Sequence, residues 1–229
     1  MNIIQPEWPA PANIRALTTT RKLWGEVGTA DTAERTRLIS LLNLPSDPIW
    51  LKQTHSTIAL PANNSNRSQE ADASYTSQPN QVSLVLTADC LPLLICDRQG
   101  STVAAIHAGW RGLAAGIIEN TIKALKLNPE DVLVWLGPAI GPDKFEVGDD
   151  VYHAFTDHDP DSISAFKPSK PGKWLANLYQ LATVRLNRLG ITHLYGGNHC
   201  THTEQDLFFS WRRDQNKATR LASMIWIEK

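Results

Sequence analysis

Residues 82–110 read VSLVLTADCLPLLICDRQGSTVAAIHAGW, three short apolar runs separated by polar or glycine-containing punctuation. Residues 82–87 (VSLVLT), 91–96 (LPLLIC) and 102–106 (TVAAI) have strand length and are apolar at nearly every position. Alternation of apolar and polar residues would mark a strand with one wet face; its absence here predicts strands covered on both faces. The runs therefore belong to the interior of a layered fold, and whatever follows them stands where buried strands end.

Working outward, residues 48–55 read as a further short strand ending in the polar run Lys52-Gln53-Thr54-His55. Residues 63–69 (NNSNRSQ) lack aromatic and β-branched side chains, the composition of an exposed loop. Residues 31–44 carry apolar positions at helical spacing after an Asp31 cap. On the C-terminal side, residues 113–127 place Leu113, Ile117, Ile118, Thr121, Ile122 and Leu125 on one face of a predicted helix. Residues 132–136 (VLVWL) predict another buried strand, followed by a loop over residues 137–142. Residues 175–189 predict a helix stopped by Gly190, and β-branched Ile225 and Ile227 make residues 220–227 a closing strand. With no repeat and no dividing linker, the chain reads as one domain over residues 1–229. The class is α/β (α+β), a mixed β-sheet sandwich covered by helices.

A formal net charge of -1 leaves no electrostatic footprint for nucleic acid or an anionic membrane surface. No stretch approaches the roughly 20 apolar residues of a membrane span, and the N-terminus has no signal-peptide core. Cys90, Cys96 and Cys200 are odd in number and too few for a disulfide scaffold. They are expected to be free thiols or metal ligands in a reducing, cytoplasmic setting.

The chemistry concentrates at strand ends. Cys90 follows one buried run inside Thr87-Ala88-Asp89-Cys90, His107 follows another and opens His107-Ala108-Gly109-Trp110-Arg111-Gly112, and His55 ends a third. Two imidazoles and a thiolate suit zinc (Zn2+) or copper (Cu2+), and three protein ligands with one open position mark a catalytic site. Such an ion lowers the pKa of water towards roughly 7. Equally, Cys90 can be a small buried hydrophobe and the histidines hydrogen-bonded structural groups. Gly109 and Gly112 flank Trp110 and Arg111 at a strand-to-helix junction, where backbone N–H groups and a guanidinium can meet phosphate. The alternative there is a tight turn with Trp110 in the core and Arg111 paired to an acid. Asp72 and Asp89 are candidates for general acid or base, or else cap a turn or orient a ligand histidine. Trp211-Arg212-Arg213-Asp214, after Phe208-Phe209-Ser210, reads as a buried aromatic anchor followed by an ion-paired turn, with Arg212 and Arg213 in structural service. His153, His158, His193, His199 and His202 read as surface residues.

Taken together, Lys52-Gln53-Thr54-His55-Ser56, Thr87-Ala88-Asp89-Cys90-Leu91-Pro92 and His107-Ala108-Gly109-Trp110-Arg111-Gly112 resemble the YfiH family, also called laccase-domain or polyphenol oxidase proteins. The likeness continues through Trp135-Leu136-Gly137-Pro138-Ala139-Ile140-Gly141, Phe145-Glu146-Val147-Gly148, Lys173-Trp174, Asn177-Leu178, Gly196-Gly197, Cys200-Thr201 and residues 208–214, nearly the whole chain. The resemblance implies that His55, Cys90 and His107 are metal ligands. It implies purine nucleoside phosphorylase activity on adenosine, inosine and methylthioadenosine, with adenosine deaminase activity, and links bacterial members to peptidoglycan precursor editing. The partners it implies are a purine nucleoside and phosphate, on a monomer or weak homodimer. Its fold is shared with cysteine hydrolases, which makes a Cys90 and His107 nucleophile pair a rival. The laccase label implies a copper polyphenol oxidase, but this chain lacks the paired His-x-His motifs of multicopper clusters. One departure stands out: Arg21 to Gly28 runs directly into the first helix, where the family carries a longer segment.

Overall fold

A computed structural model describes residues 2–24, 32–215 and 219–229. The three apolar runs form the strands Ser83–Thr87, Leu91–Asp97 and Val103–Ala108. The last two pair as an antiparallel hairpin, with Leu91 opposite Ala108 and Cys96 opposite Val103. Its turn is stabilised by Asp97, whose carboxylate accepts the Ser101 and Thr102 N–H groups and the Ser101 hydroxyl.

That hairpin is the centre of a six-stranded mixed sheet in the order His193–Gly196, Val132–Leu136, Leu91–Asp97, Val103–Ala108, Ala73–Thr76, Ala59–Pro61. The two outer pairings are parallel and the three inner ones antiparallel. Successive side chains enter opposite faces, as the pleat requires. Leu91, Leu93, Ile95, Ala104, Ile106, Val132 and Val134 enter one core, packed under the helices Ile117–Leu125 and Leu178–Arg188. Leu94, Cys96, Val103, Ala105, Leu133 and Trp135 enter a second core. The other side of that second core is a four-stranded sheet in the order Ile3–Ile4, Ile14–Thr19, Leu221–Ile227, Ser83–Thr87. Helices, sheet and sheet thus form three layers, and the strands Leu91–Asp97, Val103–Ala108 and Val132–Leu136 at the middle of the central sheet are buried throughout. A three-stranded sheet of Phe166–Pro168, Lys173–Ala176 and Glu146–Gly148 lies beside them. No helix among the described residues is long and apolar enough to cross a membrane.

Three expectations need correction. Residues 48–55 form no strand; only isolated bridges occur, at Ile49 with Ser83 and Lys52 with Glu70. The chain there curls around a buried carboxylate, and His55 adopts a left-handed backbone with φ 61°. The helix expected over residues 113–127 is two helices, Trp110–Ala115 and Ile117–Leu125, because Gly116 turns left-handed with φ 102° between them. The helix expected from residue 175 starts at Leu178, since Leu175 and Ala176 belong to a strand and Asn177 caps the helix by accepting the Gln180 N–H. Its end agrees with expectation, Gly190 following it at φ 79°. The segment from Arg21 begins with a helix of its own, Arg21–Trp24, and the helix expected over residues 31–44 is Thr32–Leu42; its expected cap, Asp31, and residues 25–28 lie outside the described residues.

Candidate metal centre

The chain crosses from the four-stranded to the six-stranded sheet between Thr87 and Leu91, and Cys90 sits in that crossover. His107 occupies the next-to-last position of its strand, opposite Pro92 and on the face of Val103 and Ala105. His55 arrives from the curled segment. The ligating atoms of His55, Cys90 and His107 all lie within 4.8 Å of one another, with Cys90 Sγ 3.8 Å from His55 Nε2. The two imidazoles meet edge to face, their centroids 4.8 Å apart.

Asp72, just before the strand Ala73–Thr76, holds this arrangement together. It is fully buried, and its carboxylate accepts the N–H groups of Thr54, His55 and Ser56, the Ser56 hydroxyl at 2.7 Å and His107 Nδ1 at 2.7 Å. One carboxylate therefore shapes the loop that presents His55 and fixes the ring of His107. Because Nδ1 donates to Asp72, His107 presents Nε2 to the centre, the arrangement that ligating histidines use. Burial works against the Asp72 carboxylate, but the hydrogen bonds from His107 and Ser56 prevail and hold its pKa at about 2. Burial likewise opposes the Cys90 thiolate, yet His107 and His55 bring its pKa down to about 6. For His107, burial is outweighed by Asp72 and Cys90, which raise its pKa to about 9. The two histidines thus favour the thiolate form of Cys90, and Asp72 and Cys90 favour the charged form of His107.

Glycine at position 109 is a requirement of this geometry. A Cβ there would lie 2.4 Å from His55 Cδ2 and 3.1 Å from Cys90 Sγ. The donor set fits a four-coordinate ion: at about 2.0 Å for nitrogen and 2.3 Å for sulfur, tetrahedral ligands stand roughly 3.5 Å apart, against 3.8 Å between Cys90 Sγ and His55 Nε2 here. Among the described residues this is the group of His, Cys, Asp and Glu side chains that can hold an ion.

The centre opens into a cleft of about 510 Å³. Its walls include Trp110, Phe145 and Trp211, and the guanidinium-bearing Arg111, Arg212 and Arg220. Arg111 is exposed, lies over the Trp110 ring at 4.3 Å, and has no acid partner among the described residues, so the paired-arginine alternative does not hold. Asp89 lines the cleft too, but its carboxylate accepts the Thr201 hydroxyl, the Ser210 hydroxyl and the Arg212 N–H. Arg213 is structural, bonded to the carbonyls of Thr201, His202 and Phe208 and to Asp214. Sequence reasoning missed Trp211, which is 47% exposed on the cleft rather than buried; Phe208 and Phe209 are the buried anchors. It also missed Arg212 and Arg220 as cleft residues. The isolated polar and aromatic residues just after the buried Phe208-Phe209 pair were the available signal.

A family model described as multi-copper polyphenol oxidoreductase laccase matches residues 26–228. Purine nucleoside phosphorylase YfiH of Escherichia coli is 44% identical over 241 residues, covering 98% of each chain. The chain belongs to the YfiH family. Another relative, a purine nucleoside phosphorylase of Haemophilus influenzae, is 49% identical over 245 residues and aligns along the full length of both chains. Among solved structures, Neisseria meningitidis protein NMB0706 is 42% identical and superposes with a TM-score of 0.91 over 100% of both chains. The mixed α/β layers are thus the YfiH-family fold, and the one cluster of ligating residues described stands at its cleft.

Proposed function

We propose that this YfiH-family chain is a metal-dependent purine nucleoside phosphorylase. It splits adenosine, inosine or methylthioadenosine with phosphate into the free purine and the ribose 1-phosphate, and it deaminates adenosine as a secondary activity. The observation that carries the reading is a two-nitrogen, one-sulfur donor set opening onto a cleft with indole and guanidinium walls. Two relatives named purine nucleoside phosphorylase, 49% and 44% identical, support it.

His55, Cys90 and His107 would hold zinc, or copper in its place. When bound, the ion supplies a Lewis acid next to the substrate. In phosphorolysis a phosphate oxygen bonds to the anomeric carbon as the glycosidic C–N bond breaks, and the proton of hydrogen phosphate balances the one taken up by the leaving purine. Arg111, whose guanidinium lies over the Trp110 ring, would take two phosphate oxygens at once. The indole of Trp211 offers a face for the purine. Asp72 acts through His107, keeping Nδ1 protonated and Nε2 aimed inward.

The test is elemental analysis of the purified protein combined with chromatography of inosine and phosphate incubations. One equivalent of zinc or copper and release of hypoxanthine are expected; Cys90→Ala should lose both. Arg111→Ala should keep the metal and raise the KM for phosphate at least tenfold. Full turnover by metal-free protein would overturn the proposal.

A second reading, a cysteine hydrolase acting on an amide such as a peptidoglycan precursor, draws on the row Cys90, His107, Asp72, with its acidic thiol and oriented imidazole. Such an enzyme would work in chelator and stop on thiol alkylation, the reverse of the metalloenzyme's response to chelator.

A further inference from the structure

We propose that Asp89 is a positioning residue that pins the wall carrying Trp211 and Arg212 against the cleft, and so sets substrate affinity. This rests on the phosphorylase reading for its kinetic consequence, though not for its structural one.

Asp89 immediately precedes Cys90 and takes the left-handed backbone, φ 84°, a conformation that aspartate tolerates better than most residues. The turn directs its carboxylate away from the His55, Cys90 and His107 cluster and towards a segment more than a hundred residues later. Oδ1 accepts the Thr201 hydroxyl at 2.6 Å. Oδ2 accepts the Ser210 hydroxyl at 3.0 Å and the Arg212 backbone N–H at 2.6 Å. The Asp89 carbonyl accepts the Ile140 N–H at 2.9 Å, so its backbone is tied down as well.

The segment needs such a hold. Trp211–Asp214 is a helix of four residues, far below the roughly 12–15 at which an isolated helix becomes even marginal in water. Its N-cap Ser210 accepts the Arg213 N–H while donating to Asp89, so the cap itself is oriented by Asp89. Arg213 then ties the helix to the carbonyls of Thr201, His202 and Phe208. The segment is tied elsewhere as well, by the Arg212 guanidinium to the Glu146 carbonyl and by Asp214 to Arg21, and Asp89 is the residue that registers it on the crossover carrying Cys90. Three donors on one buried carboxylate make it a fixed anchor.

The experiment compares Asp89→Ala, Asp89→Asn and Thr201→Val with wild type, each carrying bound zinc. Trypsin cleavage after Arg212 and Arg213, followed by mass spectrometry, reads the wall without any substrate. At least tenfold faster cleavage is expected in Asp89→Ala, and a smaller increase in Thr201→Val, which spares Asp89 and its turn. For inosine phosphorolysis, KM should rise at least tenfold in Asp89→Ala, with kcat changed less than threefold and an unchanged pH profile. Asp89→Asn keeps an acceptor oxygen and the left-handed turn, and should restore most of the KM. Unaltered proteolysis, loss of zinc in the variants, or a kcat defect that removes one limb of the pH profile would each overturn the proposal. If wild type fails to split inosine while Asp89→Ala is still cut faster, the phosphorylase reading fails and the anchor stands.

Discussion

Gly109→Ala is a sharp probe of the centre, because its effect follows from one distance. Position 109 has φ -64°, so alanine meets no backbone strain there. The added methyl would lie 2.4 Å from His55 Cδ2 and 2.9 Å from Nε2. Carbon atoms rest about 3.5 Å or more apart, so the ring must retreat by about 1 Å. Metal–ligand distances tolerate only about 0.2 Å, so the displaced imidazole ceases to be a ligand. His55 is exposed and can swing towards solvent, which spares the fold. Removing an outer-shell partner alone costs typically 10–100-fold in metal affinity, so loss of a ligand should weaken zinc binding by at least about 100-fold. The assay is competition against a chromophoric chelator, with circular dichroism and a melting curve of the metal-free protein as controls. Native spectra with zinc affinity within about threefold of wild type would refute the placement of His55 against Gly109.

Iodoacetamide should alkylate Cys90 in metal-free protein with a rate midpoint near pH 6, against 9.0 for an ordinary thiol, and zinc should protect it; a midpoint above 8 would contradict the pairing with His107 and His55. The Asp72 carboxyl falls from 3.8 to about 2 on folding, so it stabilises the protein above pH 4 and that stabilisation is lost as pH falls through 2. At roughly 1.4 kcal/mol per unit this is about 2 kcal/mol, and acid titration of urea stability should show Asp72→Asn with a correspondingly flatter profile below pH 4. Leu93→Ala, in the fully buried central strand, should cost about 3 kcal/mol in chemical denaturation, against less than 1 kcal/mol for exposed Leu41→Ala. Equal costs would argue against the central sheet being covered on both faces.

The buried strands were legible because their signal is local: continuous apolar runs around Leu93, Ala105 and Val134 need no partner to be recognised. Cys90 and His107 were legible as strand-end residues for the same reason. The strand Ala73–Thr76 was not, since its four small and polar residues are buried by neighbours on both sides rather than by their own hydrophobicity. The segment before His55 was misread as a strand because nothing local announces that the Asp72 carboxylate, 17 residues on, will gather its N–H groups. In the same way, an unbroken helical pattern over residues 113–127 hid the break at Gly116, where a glycine's backbone freedom is used.

The composition, the apolar runs and the three spaced candidate ligands belong to the chain itself, because residue type and short-range periodicity already limit what each piece can bury or bind. The meeting of His55 with Cys90 and His107, the choice of Asp72 as the residue that orients them, and the arrival of Trp211 and Arg212 opposite Asp89 belong to the folded molecule. Each is a contact between segments whose distance along the chain carries no information about their distance in space. Only the crossover between the two sheets and the long-range hydrogen bonds of two buried carboxylates bring them together.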